Sequence, residues 1–167
     1  FQNKPKDLLL PPIDFKEISI FHSGGWKKLE EVSVSKKIFT NSLAEIFQTT
    51  TKDIRDFYGM AEQGGVIFVD CEHGYKHVPN HVTIKIIDPY SLETVSIGET
   101  GLIQVTSSLA SSYYGQSILT EDIGAIKGID DCPCGRKGER FIFHSRIEKA
   151  EIKGCGDTFR PYTETTI

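Results

Sequence analysis

The period of apolar and polar positions changes once along the chain, near residue 66, and that change organises the reading. Residues 13–21 alternate well enough to form a strand, which runs into a turn at His22-Ser23-Gly24-Gly25-Trp26. Phe39, Leu43, Ile46 and Phe47 then recur at helical spacing. They predict a helix capped by Ser33 or Ser35 and running to about Gln48, with those four residues facing the core. Residues 54–58 read as a short strand that delivers Phe57-Tyr58-Gly59-Met60-Ala61-Glu62-Gln63-Gly64-Gly65, a glycine-rich crossover. Beyond it the period is two. Residues 66–70, 82–87 (with Val82, Ile84 and Ile86 on one side) and 102–106 are predicted strands, joined by turns at Asp88-Pro89 and at 98–101. The expectation is α/β in front and mainly antiparallel β behind.

Length and charge narrow the picture only modestly. With 167 residues, 38% of them hydrophobic and 25% charged, the chain suits one soluble domain. Within it, 1–14 reads as a tail, 15–65 as an α/β half and 66–167 as a β-rich half. Nineteen basic against 23 acidic residues give a net charge of -4, and no basic stripe occurs, so nucleic acid is not an expected partner. The longest apolar run, Leu8-Leu9-Leu10, stops at Pro11-Pro12; no membrane span and no signal peptide is expected, and the chain reads as cytoplasmic. A start at Phe1 and a single methionine suggest a piece of a longer protein.

The four cysteines add chemistry. Cys132-Pro133-Cys134 places two thiols one residue apart, where a disulfide would be strained but two thiolates can share an ion. Cys71 and His77 would complete a tetrahedral zinc set, with His73 as the reserve ligand; buried thiols and a surface histidine are the plainer reading. Cys155, between glycines and close to Lys149 and Lys153, reads either as an accessible nucleophile or as an incidental cysteine. In the crossover, paired glycines let backbone approach a ligand, Tyr58 can cover an adenine ring and Glu62 can hold a cation beside phosphates. A plain turn with a solvated glutamate is the other reading.

Six segments in order, HSGGWK, FYGMAEQGG, GETGLIQV, LTEDIG, CPCGRKG and SRIEKAEIKGCGD, resemble the acyl-protein synthetases of bacterial luminescence, the LuxE family, from about Phe15 to Phe159. That family lies within the adenylate-forming ligases and is related to phenylacetate-CoA ligase. The resemblance implies an α/β fold, the C-terminal part of a ligase large domain: a partial mixed sheet with helix, then a β-rich, distorted barrel-like region. It implies a nucleotide pocket walled by Gly24 and Gly25 and continued by Tyr58, Gly59 and Met60, with Glu62 on magnesium. It also implies Asp122 on the ribose hydroxyls, Arg146 nearby and Cys155 as the acyl acceptor. Aryl-CoA ligases with a Cys/His zinc site at this place strengthen the metal reading. Ala61, Glu121 and Ser145 depart from the wider pattern, and no phosphate loop occurs upstream.

The expected chemistry is ATP-dependent activation of a carboxylic acid, a fatty acid by resemblance, as an acyl-adenylate. Transfer to Cys155 as a thioester would follow, for delivery to a partner such as an acyl reductase or an acyl carrier. Glu62 with its magnesium and Cys155 carry the catalysis in this reading, and the piece alone is expected to be inactive. An aryl- or acyl-CoA ligase and a non-catalytic zinc-stabilised binding module are the alternatives.

Overall fold

The computed structural model describes residues 19–25 and 31–147. The whole of the 1–14 tail, residues 13–18 of the first predicted strand, Trp26 and Cys155 lie outside that range. The elements, in order, are β1 (Ile20–Ser23), α1 (Lys36–Phe47), β2 (Ile54–Gly59), β3 (Ile67–Val69), β4 (Lys76–His77), β5 (Val82–Ile87), β6 (Gly101–Ser107), β7 (Ser117–Ile129) and β8 (Glu139–Arg146). Among the described residues no helix is long and apolar enough to cross a membrane.

The front of the molecule is a βαβ unit. β1 and β2 pair in parallel, with Ile20 opposite Ile54, and α1 lies in the crossover between them. Of the two candidate caps, Ser35 is the one used: its hydroxyl accepts from the Ile38 N–H at 3.3 Å. The helix stops at Gln48, whose left-handed backbone (φ 52°) turns the chain. Thr50 N–H and Oγ1 both donate to Asp53, whose carboxylate thereby starts the turn into β2. The helix face is only partly core. Ala44 is its buried residue, and Ile46, expected inside, is 55% exposed, because the described residues offer α1 only a three-stranded sheet, too small to cover all of its apolar positions.

β3 pairs antiparallel with β2, so the first sheet has the order β1-β2-β3 and extends past position 65. The Gly64-Gly65 turn causes this by reversing the chain on itself. The second sheet is antiparallel, in the order β4-β8-β7-β6-β5, and it is open, with β4 and β5 at its edges. β5 and β6 follow the predicted alternation, with Ile84, Ile86, Ile103 and Val105 all at 2% exposure or less. Phe68 of β3 and Val66 just before it join them and Phe141 in one core.

Candidate active site and metal centre

The carboxyl ends of parallel strands are where open α/β sheets bind ligands, since loops there diverge and leave a crevice. β1 ends in Gly24 and Gly25, and a Cβ built at either would meet nothing within 4 Å. They border a cleft of about 320 Å³ that is also lined by His22, Lys36, Phe39 and Asp56. The His22 ring meets Phe39 edge-on at 5.0 Å, its Nδ1 lies 3.7 Å from Asp56 Oδ1, and its Nε2 is buried without a hydrogen-bond partner. Burial holds the His22 imidazole below its usual pKa, which favours the neutral ring. The Lys76 and Lys36 ammonium groups outweigh burial at Asp56 and hold its carboxyl below the usual range.

Beside this cleft, β2 presents Tyr58 to the second sheet. The ring, half-buried, stacks on Phe68 (5.8 Å) and on Phe143 (5.5 Å). Its hydroxyl donates to Asp122 Oδ2 at 2.7 Å, and Arg146 Nε donates to Asp122 Oδ1 at 3.0 Å. Both oxygens of the buried Asp122 carboxylate are thus engaged, and burial followed by the Asp122 charge drives the phenol pKa well up. The three predicted residues come together although 64 positions separate the first two. β7 and β8 set Asp122 opposite Arg146, and a bulge at Ile123/Gly124 follows immediately.

Glu62 lies on the one-turn 3-10 helix Ala61–Gln63 with its side chain exposed. That turn is held by two residues whose role the sequence did not suggest. The Tyr113 hydroxyl donates to the Glu62 carbonyl, and the buried Gln63 amide donates to the Gly115 carbonyl. An aromatic pair, Tyr113-Tyr114, inside an otherwise serine-rich loop was the available signal. Gly59 and Met60 form the end of β2 and the step into this turn, and Met60 packs against the core.

On the far side of Asp70, four ligand atoms converge. Cys71, His77, Cys132 and Cys134 each offer one atom, all within 4.8 Å of one another. Cys71 and Cys134 sit at opposite ends of the two sequence pairs, each pair turned by a glycine in the left-handed region: Gly74 (φ 77°) donates to the Cys71 carbonyl and Gly135 (φ 82°) to that of Cys132, both at 2.9 Å. The Cys71 and Cys132 sulfurs are 3.9 Å apart, and Cys134 Sγ is 3.3 Å from His77 Nε2. A tetrahedral ion with bonds of about 2.3 Å to sulfur needs sulfur-sulfur edges of about 3.8 Å. The donor set therefore fits zinc, while exposed His73 stays outside it. Burial pushes the Cys132 thiol up to about 11 and keeps the His77 imidazole below its usual range, in the neutral form that ligates.

The description "Acyl-protein synthetase, LuxE" belongs to the family whose sequence profile matches residues 7–162. The long-chain-fatty-acid–luciferin-component ligase of Aliivibrio fischeri is 33% identical over 147 residues, covering 86% of this chain and 38% of the relative. Its namesake in Vibrio harveyi is 29% identical over 141 residues, covering 84% and 36%. This chain thus spans little more than a third of those relatives. A structure of 2-hydroxyisobutyryl-CoA ligase in an open conformation matches with a TM-score of 0.55 at 21% identity, over 77% of this chain and 27% of that one. The luciferase-like enzyme of the nonluminescent mealworm Zophobas morio matches at 0.50, also at 21% identity, over 78% and 32%. At such identities these structures speak for the fold alone, a part of the adenylate-forming ligase fold. The matched profile, spanning nearly all of the chain described above, places the protein in the LuxE family of acyl-protein synthetases.

Proposed function

We propose that the full-length protein activates a long-chain fatty acid with ATP and loads it onto Cys155. The observation that carries this is the Tyr58–Asp122–Arg146 cluster beside the Gly24-Gly25 cleft, at the carboxyl ends of β1 and β2. In this reading ATP enters the cleft over the open backbone of Gly24 and Gly25, with the base toward Tyr58. The ribose hydroxyls take up the Asp122 oxygens now satisfied by Tyr58 and Arg146, a carboxylate offering two acceptors to two donors. Gly59 and Met60 contribute backbone, and Glu62, an exposed hard-oxygen donor, would hold magnesium, which when bound offsets charge on the phosphates.

A carboxylate oxygen of the acid attacks the α-phosphorus, the bond to the β-phosphate oxygen breaks, and pyrophosphate leaves. The Cys155 thiolate then attacks the acyl carbonyl, the bond to the phosphate oxygen breaks, and AMP leaves with that electron pair. The thioester would be passed to a partner protein, an acyl reductase or acyl carrier. Cys71, His77, Cys132 and Cys134 would hold a structural zinc whose role is to tie loop 71–77 to loop 132–135. Full-length protein incubated with ATP and labelled fatty acid is expected to acquire a hydroxylamine-sensitive label that Cys155→Ser abolishes. Label appearing on added coenzyme A instead would favour a CoA ligase, and no label with no pyrophosphate exchange would leave a binding module.

A further inference from the structure

Asp70 and Lys76 pair across an isolated antiparallel bridge, and each directly precedes a residue of the Cys/His centre, Cys71 and His77. Both charged side chains are buried, at 3% and 5% exposure. Lys76 Nζ reaches Asp70 Oδ1 at 2.8 Å and Asp56 Oδ2 at 3.0 Å. Lys36 Nζ lies 3.2 Å from the same Asp56 oxygen and also contacts Asp70. Asp56 and Lys36 line the cleft with Gly24 and Gly25, and His22 faces Asp56 from β1. One buried ammonium therefore stands between the two sites that the sequence presents as unrelated.

From this geometry we propose that Lys76 is a positioning residue through which the Cys/His centre sets the Asp56 carboxylate in the cleft. The inference rests on the nucleotide reading of that cleft. Withdrawing a lysine and an aspartate from water costs several kcal/mol per ion, so the pair is a poor stabiliser in its own right. Its effect is directional. Lys76 gives Asp56 a fixed partner on a backbone segment closed by the Cys71 N–H to Tyr75 carbonyl bond at 2.9 Å. Without it, Asp56 keeps Lys36, whose side chain is 55% exposed and shared with Asp70, and the more distant His22 ring at 3.7 Å, neither of which is a buried fixed partner. An ion shared by Cys71 and His77 would lock the same segment from its other end.

The test uses full-length protein, with ATP affinity measured by calorimetry and metal content by elemental analysis. Lys76→Met is expected to keep its metal and to lose about tenfold in ATP affinity, within the usual range for coupled sites. Asp70→Asn/Lys76→Met, which removes both charges of the buried pair, should lose as much, and it decides the matter if the single variant is insoluble. Because coupling is reciprocal, saturating ATP should raise the metal affinity measured by equilibrium competition with a chelator about tenfold in the wild type and much less in Lys76→Met. Failure of the wild type to bind ATP would overturn the nucleotide reading and this inference with it. Wild-type binding with unchanged affinity in the variants, or a metal affinity indifferent to ATP, would overturn the inference alone.

Discussion

The two sheets are held by different means. In the five-stranded sheet Ile84, Ile86, Ile103, Val105 and Phe141 are all at 2% exposure or less, and the buried alternate positions that β5 and β6 set side by side are apolar but for Ser107 at the end of β6. Around the first sheet the contacts are largely ionic and hydrogen-bonded: His22, Lys36, Asp56, Asp70 and Lys76 on one side, Tyr58 with Asp122 on the other. Apolar packing is non-directional and roughly additive in area, so it suits a support. Charged hydrogen bonds are directional and lose their worth with small displacements, so they suit a site that must present atoms at fixed places. The apolar core carries the stability, and the polar contacts where the first sheet meets β4, β7 and β8 carry the geometry.

That division can be broken from its heavy end first. Phe141→Ala is expected to cost about 3–5 kcal/mol by urea denaturation of the full-length protein, as large-to-small changes in a closed core do. A loss below about 1 kcal/mol would mean that the second sheet is not the support. Asp122→Asn should fold nearly normally, yet weaken charged hydrogen bonds worth about 1.5–3 kcal/mol, so pyrophosphate exchange should fall about tenfold to a hundredfold. Equal exchange would remove Asp122 from the site. Ser35→Ala is expected to cost about 1 kcal/mol through the lost cap, and Ile46→Ala on the exposed face of α1 less than about 0.5 kcal/mol.

The smallest effect concerns pH. His22 has its folded pKa below the unfolded value of about 6.5, so the unfolded chain takes up the proton first. Stability contributed by neutral His22 is complete above about pH 6.5 and falls as the pH drops below it. Asp56 and Asp70 partly offset this by attracting the proton, while Lys36 and Lys76 reinforce it. The urea midpoint is therefore expected to decline less steeply between about pH 6.5 and 5 in His22→Gln than in the wild type. Parallel curves would show that His22 is not held neutral by the fold.

Much of the support was readable in advance, because alternation survives where neighbours are apolar. Residues 82–87 match β5 end to end, and α1 follows its spacing from Ser35 to Gln48. The Cys132-Pro133-Cys134 pair pointed to a cluster, and the structure gathers Cys71 and His77 with it, a choice over His73 that depends on how loop 71–77 turns. β7 escaped notice for a physical reason. It contains Gly124 and Gly128, its register shifts at both, and the buried positions Gly124 and Ala125 are adjacent. The buried role of Lys76 was equally hidden, since a lysine reads as solvated until its partners are placed around it. Tyr113 and Gln63 act through backbone carbonyls, which leave no mark on residue type.

The offset between β7 and β8 at Ile123/Gly124 has a wider consequence. A Cβ at Gly124 would stand 2.6 Å from the Ile142 carbonyl and 2.8 Å from Ile103 Cδ1, so β7 can lie this close only because no side chain is there, and the extra residue falls on β8, where the pairing skips His144 between Phe143 opposite Gly124 and Ser145 opposite Ile123. In an evenly pleated strand the facing of each residue is decided by counting from either end. On β8 the count from Glu139 and the count from Arg146 disagree by one at His144, and Arg146 lies just beyond the disagreement, opposite Asp122. A lineage that gained or lost one residue between Phe143 and Arg146 would turn the guanidinium away from Asp122 while leaving the earlier half of β8 in place. Length variation in this stretch should therefore be tolerated by the fold and rejected by the chemistry.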